Sequence, residues 1–199
     1  MRQITILLTF IIALMANVAI ATAQPHSTQP PTTTPTTTPS TASPQQQVSR
    51  DATREKLRTL LETVGSKINV SFRQSDKQPY NFVGTMKTGL NNADAFEIVI
   101  SVSAEQTIHF RIFPHYSNAY VNIDKVKSSE GLMRQMVRFS YQNFLFWGAD
   151  DSGDIFAGYN FTLESGFPEA SVRVVLNSIA KLDDYVCQMR PSIDGSAAP

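Results

Sequence analysis

The sequence predicts an α+β domain, with one antiparallel sheet and helices packed mainly on one face, in the order α-β(3–4)-α-β(2)-α. Three observations lead there. Apolar residues recur at helical spacing near both ends of the folded region, at Leu57, Leu60, Leu61, Val64 and Ile68 and again from Val172 to Met189. Between them lie grouped segments of alternating apolar and polar residues. Near the end of that stretch, Asp150-Asp151-Ser152-Gly153 supplies the turn of a hairpin, with Asp tolerating the bend and Gly permitting positive φ.

The first helix sets Arg54, Glu55 and Lys56 opposite its leucines, and Gly65 marks a stop. Tyr80-Asn81-Phe82-Val83-Gly84 is the weakest of the extended segments. Phe96, Ile98, Ile100 and Val102 alternate cleanly, as do Ile108, Phe110 and Ile112, and Ala104-Glu105-Gln106 joins the two as a hairpin. Tyr120-Val121-Asn122-Ile123 adds a short strand. Ser128, Ser129 and Glu130 then open a second helix with caps and an acidic first turn. Its expected buried stripe is Leu132, Met133, Met136, Val137, Ser140, Tyr141 and Phe144. The segment 143–147 leaves as a strand and returns through Ile155, Ala157, Tyr159, Phe161 and Leu163. Pro168 pre-sets φ for the closing helix, whose core face is Val172, Val175, Leu176, Ile179, Leu182, Val186 and Met189. The residues after 190 are expected to fray.

The ends carry a different message. Arg2, the apolar run over 4–20 and Ala21-Thr22-Ala23 form the pattern of a cleaved export signal over 1–23. An uncleaved leader would be the one route to a membrane, because the run is close to the ~20 residues that span a bilayer. Residues 24–48, rich in Thr, Pro and Gln, hold too little apolar surface to fold and read as a disordered spacer. The folded domain is then expected over 49–190, with a flexible tail over 191–199. The chain of 199 residues holds 17 Lys+Arg and 17 Asp+Glu, and losing Arg2 leaves 16 bases against 17 acids. That balance gives no electrostatic reason to bind nucleic acid. Cys187 is the single cysteine, so no internal disulfide forms, and its apolar neighbours predict a buried, inert thiol.

Leu132, the run Asn143-Phe144-Leu145-Phe146-Trp147-Gly148, the turn Asp150–Gly153, Asp154-Ile155-Phe156 and Phe167-Pro168-Glu169 together resemble the YbjN family, a sensory-transduction-regulator group with the fold of type III secretion chaperones. The resemblance spans residues 51–189. It implies a compact, often dimeric domain that binds protein or peptide segments without catalysis, and it transfers no site residue. The leader and spacer depart from the cytoplasmic pattern of that family.

The residues themselves point the same way. The acidic turn lacks the spacing of a calcium loop, and His26, His109 and His115 have no HExxH or cysteine pattern beside them, so neither metal nor cofactor is expected. No Gly-x-Ser-x-Gly elbow occurs, and no catalytic residue is assigned. The candidate partner-binding residues are Phe113, His115, Tyr116 and Tyr120, aromatics around a proline in an expected loop, and the basic pair Arg134 and Arg138 on the second helix. Packing of Phe113 and Tyr116 under the sheet edge is the plainer alternative for the first group, and a solvated helix face for the second. The sequence-level expectation is an exported, periplasmic or secreted module that binds a protein or peptide. A self-associating envelope protein and an enzyme with a dispersed site are its rivals.

Overall fold

The structure is a computed structural model that describes residues 44–197. The leader over 1–23 and the spacer as far as residue 43 lie outside the described residues. Within them the chain forms one seven-stranded antiparallel sheet and three helical segments, and the predicted fold class holds.

The first helix, α1, spans Pro44–Gly65, so it starts five residues ahead of the expected domain boundary at 49. Pro44 suits a first helical turn, where its missing N–H has no partner to lose. After Gly65 a 3₁₀ turn over Ser66–Ile68 ends at Asn69, whose φ of 56° reverses the chain. The strands are β1 (Ser71–Gln74), β2 (Asn81–Met86), β3 (Ala95–Val102), β4 (Thr107–Tyr116) and β5 (Ala119–Tyr120). Helix α2 spans Ser129–Gln142, followed by β6 (Phe146–Ala149) and β7 (Ile155–Thr162). The strand order is β1-β2-β3-β4-β7-β6, with β5 pairing β4.

The closing helix is in three pieces: α3 (Glu169–Ser178), a 3₁₀ turn over Ile179–Leu182, and α4 (Asp183–Ile193). Its predicted core face is nonetheless entirely buried. Pro191 lies inside α4, so the first part of the expected tail is helical.

One face of the sheet carries the core. Phe96, Ile98, Ile100 and Val102 on β3 stand beside Ile108, Phe110 and Ile112 on β4, and the buried residues of α1, α2, α3 and α4 close over them. Three expectations need correction. Helix α2 buries Leu132, Met136 and Phe139, while Met133, Val137, Tyr141 and Phe144, expected inside, are exposed. Helix α2 offers only one row to the sheet, and the next row of apolar residues falls outside it.

The second correction concerns the segment 113–116, which is strand rather than loop. Pro114 is tolerated because β4 changes neighbours there, from β7 to β5. Its carbonyl accepts from Val121 N at 3.2 Å, and the Val121 carbonyl accepts from Ile155 N at 2.9 Å, so the absent N–H leaves Val121 partnered. Third, the strand expected over 120–123 shrinks to Ala119–Tyr120. Beyond it Asn122 forms an isolated bridge to Asp154 and ties the chain to the hairpin turn.

Candidate functional site

Strand alternation splits the aromatic candidates between the two faces of the sheet. Phe113 and His115 point away from the helices, and the β4–β5 register sets Tyr120 opposite His115. The Tyr120 ring packs edge-on to Phe113 at 5.9 Å between centroids and lies 4.2 Å from the His115 ring. Phe156 on β7 joins them, 5.6 Å from Phe113. Phe146 on β6 continues the row, 6.0 Å from Phe156. Gly158 makes room for it, since a Cβ there would lie 2.6 Å from Phe146 Cζ. Arg111 places its guanidinium 5.0 Å from the Phe156 ring centre.

Tyr116 is not part of this group. One residue further along β4, it turns to the helix face and donates its hydroxyl to Asp194 Oδ2 at 2.7 Å, while Arg190 Nε donates to the same hydroxyl at 3.3 Å. The Asp194 carboxyl is held down to about 2, first by Ser196 and then by Tyr116. Tyr116 therefore anchors α4 to the sheet, and is a packing residue.

Carboxylates surround the aromatic row. A shallow hollow of about 230 Å³ is lined by Glu97, Val99, Phe113, Tyr120, Asp150 and Asp154. The Tyr120 hydroxyl donates to Glu97 Oε2 at 2.8 Å. Asp150 Oδ1 accepts the backbone N–H groups of Ser152 and Asp154, which shapes the hairpin turn, and Gly153 takes the positive φ expected of it, at 80°. Asp154 Oδ1 accepts from Asn122 Nδ2 at 2.8 Å. Asn122 is buried, and no alternation or motif in the sequence marks it, because its role depends on two loops meeting.

Burial, the bond to Glu97 and the nearby Asp154 and Asp150 together push Tyr120 up to about 12. Its folded pKa lies above the ordinary value of 10, so its contacts stabilise the fold fully below pH 10 and are lost as pH rises through 12. A tyrosinate absorbance titration should therefore show a component near pH 12 that Tyr120→Phe removes.

The basic pair lies elsewhere, on the outer side of α2. Arg134 is held by Glu130 at 2.6 Å, so its charge is offset, while Arg138 is exposed and makes no ion pair among the described residues. The structure does not bring this pair to the aromatic row. It sets it beside the misjudged residues of α2: Met133, Val137 and Tyr141 recur every fourth position as one stripe, 48%, 72% and 91% exposed. Phe144 follows at 48%, just before β6, which ends the sheet with one edge unpaired among the described residues. Cys187 is half-buried rather than fully buried, and is free. Trp147 is buried against Phe139 and Tyr185.

No family model matches the chain and no curated protein matches it, so the YbjN resemblance stands on the sequence pattern alone. Among solved structures the chain is similar to one described as the crystal structure of the ExsC–ExsE complex, with 15% identity and a TM-score of 0.38 over 66% of this chain and 91% of that one. A likeness at that level carries no argument about function. What the fold and the surfaces define is an α+β domain with an apolar helix stripe on one side and an acidic aromatic row on the other.

Proposed function

We propose that the domain is a non-catalytic module that docks a protein or peptide partner on α2. The observation that carries this is the stripe Met133, Val137, Tyr141 and Phe144, four large apolar residues left in solvent beside an edge strand. Contiguous exposed apolar surface of this kind is the mark of an interaction site, whereas scattered single residues are ordinary. Arg134 and Arg138 flank the stripe and supply a polar rim. Export is part of the same proposal, supported by Arg2, the apolar run and Ala21-Thr22-Ala23.

A photo-crosslinking amino acid at Val137 of the full chain, expressed in its own cells, tests it. A discrete adduct of a different protein is expected, and it should be absent when the crosslinker replaces Lys181 instead. An adduct with a second copy would shift the reading to self-association, and no adduct would end it. Val137→Asp with Tyr141→Ser should weaken capture by roughly tenfold or more, about 1.4 kcal/mol. Folding stability should change by no more than about 0.5 kcal/mol per site, because both side chains are solvated already. In the same cells, N-terminal sequencing of the recovered protein should begin at Gln24.

A further inference from the structure

The open face of the sheet carries a second surface, and its chemistry differs from that of α2. Aromatic rings and carboxylates share one hollow there. The Tyr120 ring, 38% exposed, forms its apolar wall over the buried Phe113, and Glu97, Asp150 and Asp154 give it negative charge. None of those three carboxylates pairs with a Lys, Arg or His among the described residues, although six ion pairs form elsewhere on the domain. Their hydrogen bonds come from a tyrosine hydroxyl, an asparagine amide and turn N–H groups, all uncharged donors. A second hollow, which shares Asp150 with the first, is lined by Asp151 and by Arg111.

We infer that this face is a docking site for an arginine side chain of a partner segment, taken between the exposed Tyr120 ring and the Glu97, Asp150 and Asp154 carboxylates. A guanidinium suits both halves of the hollow. It stacks flat on aromatic faces and offers a fork of N–H donors to carboxylates. The aromatic half of this pairing already occurs once on the same face, where Arg111 lies 5.0 Å from the Phe156 ring centre. An isolated carboxylate cluster would select any cation, and an isolated aromatic row any flat apolar group; together they select a cation with a planar face. The site is shallow and in water, so it supplies selectivity and orientation more than affinity.

This deepens the proposal that the domain binds a protein or peptide, and rests on it. Isotope-labelled full chain is titrated with acetyl-Ala-Arg-Ala-Arg-Ala-amide, with the same peptide carrying Gln for Arg, and with cellobiose, by amide chemical shifts. The arginine peptide is expected to move the signals of Glu97, Phe113, Tyr120 and Asp154 saturably, in roughly the millimolar range that one or two surface contacts support. Its binding should weaken about threefold or more at high salt, as exposed charge pairs do. Glu97→Gln keeps the acceptor for Tyr120 and removes the charge, and should weaken binding by a similar factor. Equal shifts with the glutamine peptide, no shifts at these residues, or saturation by cellobiose alone would each overturn the inference, the last in favour of a sugar site. Because crosslinking at Val137 reads α2 and not the sheet, a failure here with that adduct intact removes the arginine site and leaves the partner-binding reading standing.

Discussion

Asp183→Ala is expected to cost about 3 kcal/mol, since it removes a buried carboxylate and orphans the donors around it. Asp183 is the first residue of α4 and is 4% exposed. Its two oxygens accept the backbone N–H groups of Asn91 (2.8 Å), Asn92 (3.0 Å) and Ala93 (2.8 Å), and the Asn92 side-chain amide at 3.0 Å. The loop between β2 and β3 is therefore closed by a residue about ninety positions away. Each N–H left without a partner in a buried site costs about 1–3 kcal/mol, though the loop can relax toward water and recover part of it. For a domain of this size the melting temperature should fall by roughly 6–12 °C, at about 2–4 °C per kcal/mol. Asp183→Asn fills the same volume but keeps one accepting oxygen and turns an NH₂ toward N–H donors, so about half the loss should remain. Hydrogen exchange at Asn91, Asn92 and Ala93 gives the local readout, and their amides should lose protection well before those of β3. A fall below about 1 kcal/mol with those amides still protected would show that the loop is held by its own contacts.

Asp183 also shows where sequence reading stops. In the closing helix, spacing alone finds Val172, Val175, Leu176, Ile179, Leu182, Val186 and Met189, all buried. Position 183 lies on the same stripe, four after Ile179 and three before Val186, but apolar spacing does not mark a buried acid there, because the donors that satisfy Asp183 lie on a distant loop. The same limit explains α2. Apolar residues at i, i+3, i+4 and i+7 spell an amphipathic helix whether the second row meets the core or the solvent, and here Val137 and Tyr141 meet solvent. The exposed stripe was thus written plainly in the sequence, but with its sign reversed. Phe113, His115 and Tyr120 were legible as an aromatic group, while Phe146 and Phe156 were not, because cross-strand neighbours from β6 and β7 follow from sheet order. Strand β1 escaped altogether: Ser71-Phe72-Arg73-Gln74 offers one apolar residue, too few for a period-2 pattern.

Gly84→Val should expose what makes that segment a strand. Phe72 lies across from Gly84 in the β1–β2 register, and a Cβ at Gly84 would lie 2.6 Å from Phe72 Cδ1 and 2.7 Å from Val70 Cγ1. On the far side, a Cβ at Gly65 would lie 3.1 Å from Phe72 Cδ2 and 2.5 Å from the Val70 carbonyl. The two glycines form a seat for one ring, and that seat joins β1 to both the sheet and the end of α1. Gly65 therefore does more than stop a helix; it admits the Val70 backbone. Adding two methyl groups and a Cβ to Gly84 leaves the ring no space to retreat into, and overpacking of this kind costs about 1–3 kcal/mol. We expect the upper half of that range, because the nearest atoms belong to a ring and a β-branched side chain, neither of which bends away cheaply. The loss should be local: among the described residues β1 is paired on one side only, so its amides should lose protection while β3 and β4 keep theirs. Phe72→Ala in the Gly84→Val background is the decisive companion, since removing the ring frees the space the valine needs. A double-mutant cycle should then show the valine costing at least about 1 kcal/mol less without Phe72 than with it. Additive losses would mean that Val70, not the ring, sets the fit at Gly84, and that β1 is held by its hydrogen bonds to β2 alone.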